Sequence, residues 1–180
     1  TAEYGMLPTS TNSRNRREAK QGKQSGRTVE IQRLIGRSLR TILDLKAFPS
    51  GQFIIDCDVI SADGGTRTAS ITGAYVALAL AVKKLLKKGI LTKNPMKDSV
   101  SAISCGIVNG KVLVDLDYNE DSHADIDANF VFAKNTGISE VQISGERSTF
   151  SLKTIDKMIK LGLKSTEKIF RLQEKIIGKI

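Results

Sequence analysis

An α+β fold, two layers with antiparallel strands carrying helices on one face, is predicted by three observations in this 180-residue chain. Apolar residues recur at helical spacing near both ends. Two segments in the middle have the alternation and turn residues of β-hairpins. Between the first helix and those hairpins, a short β-branched run passes through a glycine turn into a long Ala/Leu/Val segment. At 180 residues, 40% hydrophobic and 26% charged, the chain suits one domain spanning 1–180 with a sizeable core, and its composition is not that of a disordered chain.

The elements follow in order. Thr1 to Pro8 reads as an extended piece. Thr9 to Gly26 (TSTNSRNRREAKQGKQSG) has almost no apolar side chains and is expected as an exposed basic loop. Ile31, Leu34, Ile35, Leu39, Ile42 and Leu43 form one helical stripe with Arg33, Arg37 and Arg40 mostly off it, and Pro49 and Gly51 are expected to end the segment. Phe53 to Ile60 alternates Asp56 and Asp58 with Cys57 and Val59, as a strand does. Asp63, Gly64, Gly65 and Thr66 break that pattern, and a helix is expected to run to Lys88 and stop at Gly89. Ala69, Gly73, Ala74, Ala77 and Ala81 give it a small side suited to close approach. Val100 to Val108 and Val112 to Leu116 meet at Asn109-Gly110, a strong two-residue hairpin signal. Phe130 to Ala133 and Val141 to Ser144 make a second hairpin through Asn135, Thr136 and Gly137. Ser151 is placed to cap a last helix whose stripe is Leu152, Ile155, Ile159 and Leu163, with Lys153, Lys157, Lys160 and Lys164 on other faces.

No run reaches 18 consecutive apolar residues, and Cys57 and Cys105 form no CxxC pair, so neither a membrane span nor a thiolate metal site is suggested and a reducing cytoplasm is the plain reading. The net charge of +9 is unevenly placed. Residues 1–40 carry nine Lys/Arg against three acids, and residues 151–180 carry eight against three. Residues 111–130 hold Lys111 alone against Asp115, Asp117, Glu120, Asp121, Asp125 and Asp127. A basic surface attracts a polyphosphate, whereas a carboxylate cluster repels it unless a divalent cation lies between. Solvated lysine faces and polar loops would give the same count.

Two segments are candidates for chemistry. Gly64-Gly65-Thr66-Arg67-Thr68 joins a strand to a helix, where free amides, hydroxyls and a guanidinium fork suit an anion; a tight connection is the alternative. It is neither a Walker loop nor a GxGxxG turn. Asp121 and Asp127, six residues apart across a turn, can offer oxygen ligands to one magnesium ion; carboxylates that merely cap turns are the alternative. His123, the lone histidine, excludes any site that needs two.

TAEYGMLP (1–8), GRTVEIQRLIGRSLR (26–40), DCDVISADGGTRTASITGA (56–74), NPMKDSVSAISCGIVNG (94–110) and DLDYNEDSHADID (115–127) together resemble the ribonuclease PH family. The resemblance implies the two-layer ribosomal protein S5 domain 2-like fold, without the strands the family carries ahead of its TAEYGMLP segment. It also implies a phosphate-dependent 3′ to 5′ exoribonuclease that trims transfer RNA precursors, moves nucleotides onto inorganic phosphate and releases nucleoside diphosphates. Carried over residue by residue, phosphate would be bound by Arg27, Gly65, Thr66 and Arg67, and Asp121 and Asp127 would be the catalytic, Mg2+-binding acids. The resemblance further implies a homo-hexameric ring, a trimer of dimers, while Arg14, Arg16, Arg17, Lys20 and Lys23 are expected to contact RNA phosphates because they crowd a segment with almost no apolar residues. A non-catalytic RNA-binding ring subunit is the competing class, and an inactive fragment a third; Asp121, Asp127 and the Gly-Thr-Arg turn argue for the enzyme.

Overall fold

The computed structural model describes residues 1–48 and 51–179. Its elements are β1 (Ala2–Met6), α1 (Gly26–Thr41), β2 (Ile55–Val59), α2 (Thr66–Lys87), β3 (Val100–Val108), β4 (Lys111–Val114), α3 (Tyr118–His123), β5 (Ile126–Ala133), β6 (Gly137–Gly145) and α4 (Leu152–Ile177). β1 and β2 pair in parallel, and the other four strands form an antiparallel sheet in the order β4-β3-β5-β6. The extended opening segment is therefore a strand, and Asn109 and Gly110 both take positive φ in the tight turn between β3 and β4.

The side-chain alternation of β3 and β5 sorts the core into two parts. Val100, Ala102, Val131 and Ala133 pack with Ile31, Leu34 and Ile35 of α1 and Ile71, Leu78 and Val82 of α2. Ile103, Cys105, Ala128, Phe130 and Phe132 face the other way, onto Met158 and Phe170 of α4. Helices thus cover both faces of the sheet rather than one, because β3 and β5 carry apolar side chains on each face that cannot be left in water. α2 has the length and apolarity of a membrane-crossing helix, yet Ile71, Leu78 and Val82 are buried in this core.

Several boundaries differ from the sequence expectation. α1 ends at Thr41, after which Leu43 bridges Met96; Pro49 lies outside the described residues. β5 begins at Ile126 and β6 at Gly137, each four residues before its expected start. On α4 the buried ridge is Met158, Gly162, Thr166, Phe170, Gln173 and Ile177, while Leu152 is 85% and Leu163 48% exposed. Close approach selects that ridge: a Cβ at Gly162 would lie 3.2 Å from the Phe130 ring, so the helix meets the sheet at its smallest residue. The small side of α2 departs from the expected close packing, since Ala69, Gly73 and Ala77 line an open groove of about 420 Å³ beside β2.

Candidate functional site

The turn before α2 is shaped by its neighbours. Gly64 has φ +82°, and a Cβ there would stand 2.3 Å from the Leu116 carbonyl oxygen. That closeness docks the segment leading into α3 against the start of α2, and the Tyr118 amide donates to Asp63 Oδ1 (3.2 Å). Gly65, also left-handed at φ +57°, is the N-cap residue of α2 and supplies no side-chain cap. The first-turn amides of a 22-residue helix therefore lack the side-chain oxygen that usually fills this position. Thr68 is not free for an anion, because its hydroxyl donates to the Gly65 carbonyl (2.8 Å). The Thr66 hydroxyl is paired with the Tyr4 hydroxyl at 2.8 Å, which ties β1 to the turn.

α1 begins differently. Ser25 Oγ accepts from the Thr28 amide, and Thr28 Oγ1 donates to Glu18, a hydrogen bond that lowers the Glu18 pKa. The helix end is already capped, so Arg27 can offer an anion its side chain but not a vacant amide turn. Arg67, with a side chain 17% exposed, points its Nη1 at Glu30 Oε1 (3.5 Å) and Gln142 Oε1 (3.4 Å).

The acids divide into two groups. Asp117 is the N-cap of α3 and accepts from the Glu120 amide, while Glu120 accepts from the Asp117 amide in a capping box. Those two carboxylates hold a helix start. Asp115 follows β4 directly, at φ +59°. Asp121 is exposed on α3, and Asp127 is half-buried on β5. Burial chiefly raises the Asp127 pKa and the Asp121 charge raises it further, while Arg67 pulls it down; Glu146 raises it and Arg27 lowers it by smaller amounts. Burial aside, charges from α1, α2, α3 and the segment after β6 thus act on one carboxyl of β5. Among the described residues no three His, Cys, Asp or Glu side chains gather closely enough to hold a metal by themselves.

Register supplies the rest of the site. Asp127 lies opposite Ser144 and Asn129 opposite Gln142, so these four polar side chains share the sheet face on which α1 and α2 lie. Together with Glu30, Arg67 and Glu146 they line a cavity of about 510 Å³. Glu30, Asn129, Gln142, Ser144 and Glu146 were missed by the sequence reading. The alternation Asp127-Ala128-Asn129 and Gln142-Ile143-Ser144 was a usable signal for three of them. Glu30 gave none.

The basic segment makes a second concavity. Arg16, Arg17, Lys23 and Arg27 line a cleft of about 550 Å³ with Tyr4, Gly5 and Asp58. Arg14 and Lys20 are exposed outside its lining. The loop is not wholly irregular, since Glu18–Lys20 forms a single 3-10 turn. Arg27 lines this cleft and is also the weakest of the charges that act on Asp127.

Residues 1–84 match the model of the 3′ exoribonuclease family, domain 1, and residues 98–165 match that family's domain 2. Two curated proteins named ribonuclease PH, from serogroup C and serogroup A strains of Neisseria meningitidis, are each 55% identical over 178 residues, covering 99% of this chain and 74% of the relative. Among solved structures, rice (Oryza sativa) Rrp46 superposes with a TM-score of 0.73 at 21% identity, over 99% of this chain and 73% of that one. An Archaeoglobus fulgidus exosome with RNA bound to the active site gives 0.71 at 20% identity, over 94% and 68%. The two structures agree with the α+β fold.

Proposed function

The chain belongs to the 3′ exoribonuclease family, among the proteins named ribonuclease PH, and we propose that it works as they are named: a phosphorolytic enzyme trimming the 3′ ends of RNA, transfer RNA precursors included. An oxygen of inorganic phosphate attacks the phosphorus that links the last nucleotide. The bond from that phosphorus to the preceding 3′ oxygen breaks, the 3′ oxygen takes up a proton, and a nucleoside diphosphate departs. Phosphate is its own nucleophile, so the protein's task is to bring two anions together and stabilise the charge between them.

The observation that carries this reading is geometric: Arg67 on α2 and Asp127 on β5 line one cavity, and the Gly64 contact docks the start of α3, which carries Asp121, against the turn that opens α2. In this reading the uncapped turn at Gly65, Thr66 and Arg67 holds the attacking phosphate, with Arg27 across the site. Asp121 and Asp127 would hold Mg2+, an ion to which hard carboxylate oxygens are suited. An ion held there would supply positive charge against the scissile phosphate. Arg16, Arg17 and Lys23, in the cleft that Arg27 also lines, follow the RNA backbone, with Arg14 and Lys20 as outer contacts. The working assembly is a homo-hexamer, and the compartment a reducing cytoplasm, in keeping with the free thiols of Cys57 and Cys105.

The test incubates this chain with RNA bearing a free 3′ end, with and without phosphate and Mg2+. Nucleoside diphosphates appearing only when both are present, and lost in Asp127→Asn and Arg67→Ala, are the expected result. Monophosphates would mean hydrolysis and overturn the mechanism. RNA binding with no product under any condition would favour a non-catalytic subunit.

A further inference from the structure

Arg67 is held by a small network whose other members the phosphate-site reading does not use. Three elements meet at it: Glu30 on the second turn of α1, Arg67 on the first turn of α2, and Gln142 on β6. Gln142 Nε2 donates to Glu30 Oε1 at 3.0 Å, and Gln142 Oε1 accepts from Arg67 Nη1 at 3.4 Å. Arg67 Nη1 also reaches Glu30 Oε1 at 3.5 Å, which closes a triangle of side chains. Among the described hydrogen bonds only Nη1 of this guanidinium is engaged, so Nε and Nη2 remain on its other edge. A planar fork grips an anion through two parallel N–H groups, and it does so well only when its plane is fixed beforehand.

We propose that Glu30 and Gln142 are positioning residues that fix the Arg67 guanidinium by its Nη1 corner, so that its free edge meets inorganic phosphate already oriented. This rests on the reading of Arg67 as a phosphate ligand. A bare carboxylate beside an anion site repels the anion, so Glu30 has two opposed effects: its charge weakens phosphate binding and its hydrogen bonds strengthen it. Gln142 carries no charge and contributes only the second. The Glu30 side chain is 41% exposed, so replacing it removes a partner of Arg67 rather than a piece of the core.

The two effects separate in Glu30→Gln and Glu30→Ala. The glutamine variant keeps an acceptor for both partners and loses the charge, whereas the alanine variant loses both. Titration calorimetry of the 180-residue chain with inorganic phosphate is the measurement, with a thermal melt of each variant to verify folding. Expected are affinity at or above wild type for Glu30→Gln, affinity about fivefold weaker for Glu30→Ala and for Gln142→Ala, as the loss of one long hydrogen bond to Arg67 gives, and a far larger loss for Arg67→Ala. Equal or tighter binding in Glu30→Ala would show that Glu30 acts by charge alone and overturn the proposal. Unchanged affinity in Gln142→Ala would do the same. If Arg67→Ala itself binds phosphate as wild type does, the phosphate-site reading falls, and the positioning role falls with it.

Discussion

Replacing Gly64 by Ala tests whether the glycine turn holds the two halves of the site together. An alanine there carries two separate penalties. Its backbone is left-handed at φ +82°, which costs a residue with a Cβ about 1–2 kcal/mol. Its Cβ falls 2.3 Å from the Leu116 carbonyl oxygen and 3.0 Å from the Asp117 carbonyl carbon, both main-chain atoms that no rotamer change can move aside. The segment leading into α3 must retreat by about 1 Å to restore ordinary contact, and overpacking of this kind costs about 1–3 kcal/mol more. A total of about 2–5 kcal/mol in a chain of this size lowers the melting temperature by roughly 4–20 °C. The matched control is Gly73→Ala on α2, where nothing lies within 4 Å of the added Cβ. A mid-helix Gly→Ala change of that kind stabilises by about 1 kcal/mol and raises the melting temperature by about 2–4 °C. Because α3 carries Asp121, the same retreat separates it from Asp127, and turnover should fall about 100-fold. Circular dichroism melts and a diphosphate-release assay read both quantities. A Gly64→Ala protein that melts within about 1 °C of wild type, or above it as Gly73→Ala does, would refute the packing argument.

Neutralising Arg14, Arg16, Arg17, Lys20 and Lys23 together should flatten the log–log salt dependence of RNA binding by about 0.7 per lost phosphate contact; anisotropy titrations at several salt concentrations measure it, and an unaltered slope would exclude the segment. Asp127→Asn should stop turnover yet melt above wild type at neutral pH, because a carboxyl whose folded pKa is raised contributes stability that is present below the usual carboxylate range and lost as pH rises through the raised value. Melts across the acid range check the sign: the gap should close at low pH. Asp98 has the opposite sign, since burial raises its pKa but hydrogen bonds from the Ser99, Asn135 and Thr136 amides and the Thr136 hydroxyl outweigh it and leave it lowered. Asp98→Ala should therefore destabilise by about 1–3 kcal/mol at neutral pH, an effect lost as pH falls through the folded Asp98 pKa. Ser151→Ala should cost about 1 kcal/mol in chemical denaturation, since Ser151 Oγ accepts from the Thr154 amide at the start of α4.

The sequence carried those parts of the fold that local chemistry decides. Asn109-Gly110 turns where expected, Ser151 caps α4, and Ile31, Leu34 and Ile35 lie in the core as their spacing requires. What it did not carry depends on partners distant in the chain. The choice between Leu163 and Gly162 as the buried side of α4 is made by Phe130 and Phe132, whose rings leave room for only the smaller residue. The site divides in the same way. Asp121, Asp127 and the Gly65-Thr66-Arg67 turn stand out because their residue types are conspicuous. Glu30 does not, because a glutamate in the second turn of a basic helix is an ordinary residue until β6 brings Gln142 to it.

The uneven charge of the sequence finds its physical reason at Asp127. A chain of net charge +9 attracts RNA from a distance, but long-range attraction is indifferent to where the strand comes to rest. Near Asp127 the balance reverses locally: burial and the charges of Asp121 and Glu146 oppose its ionisation, and Arg67 and Arg27 only partly offset them. A half-buried carboxyl with unfavourable neighbours destabilises the free protein and gains most from any cation delivered beside it. The uncapped first turn of α2 has the complementary deficit, amides lacking the oxygen they would otherwise bind. Gly64 docks the start of α3, which carries Asp121, against that turn, through a contact too close for any residue with a Cβ. On the proposed reading, a phosphate at the turn and a cation at the carboxylates would each relieve one of these deficits, and each would lower the cost of binding the other.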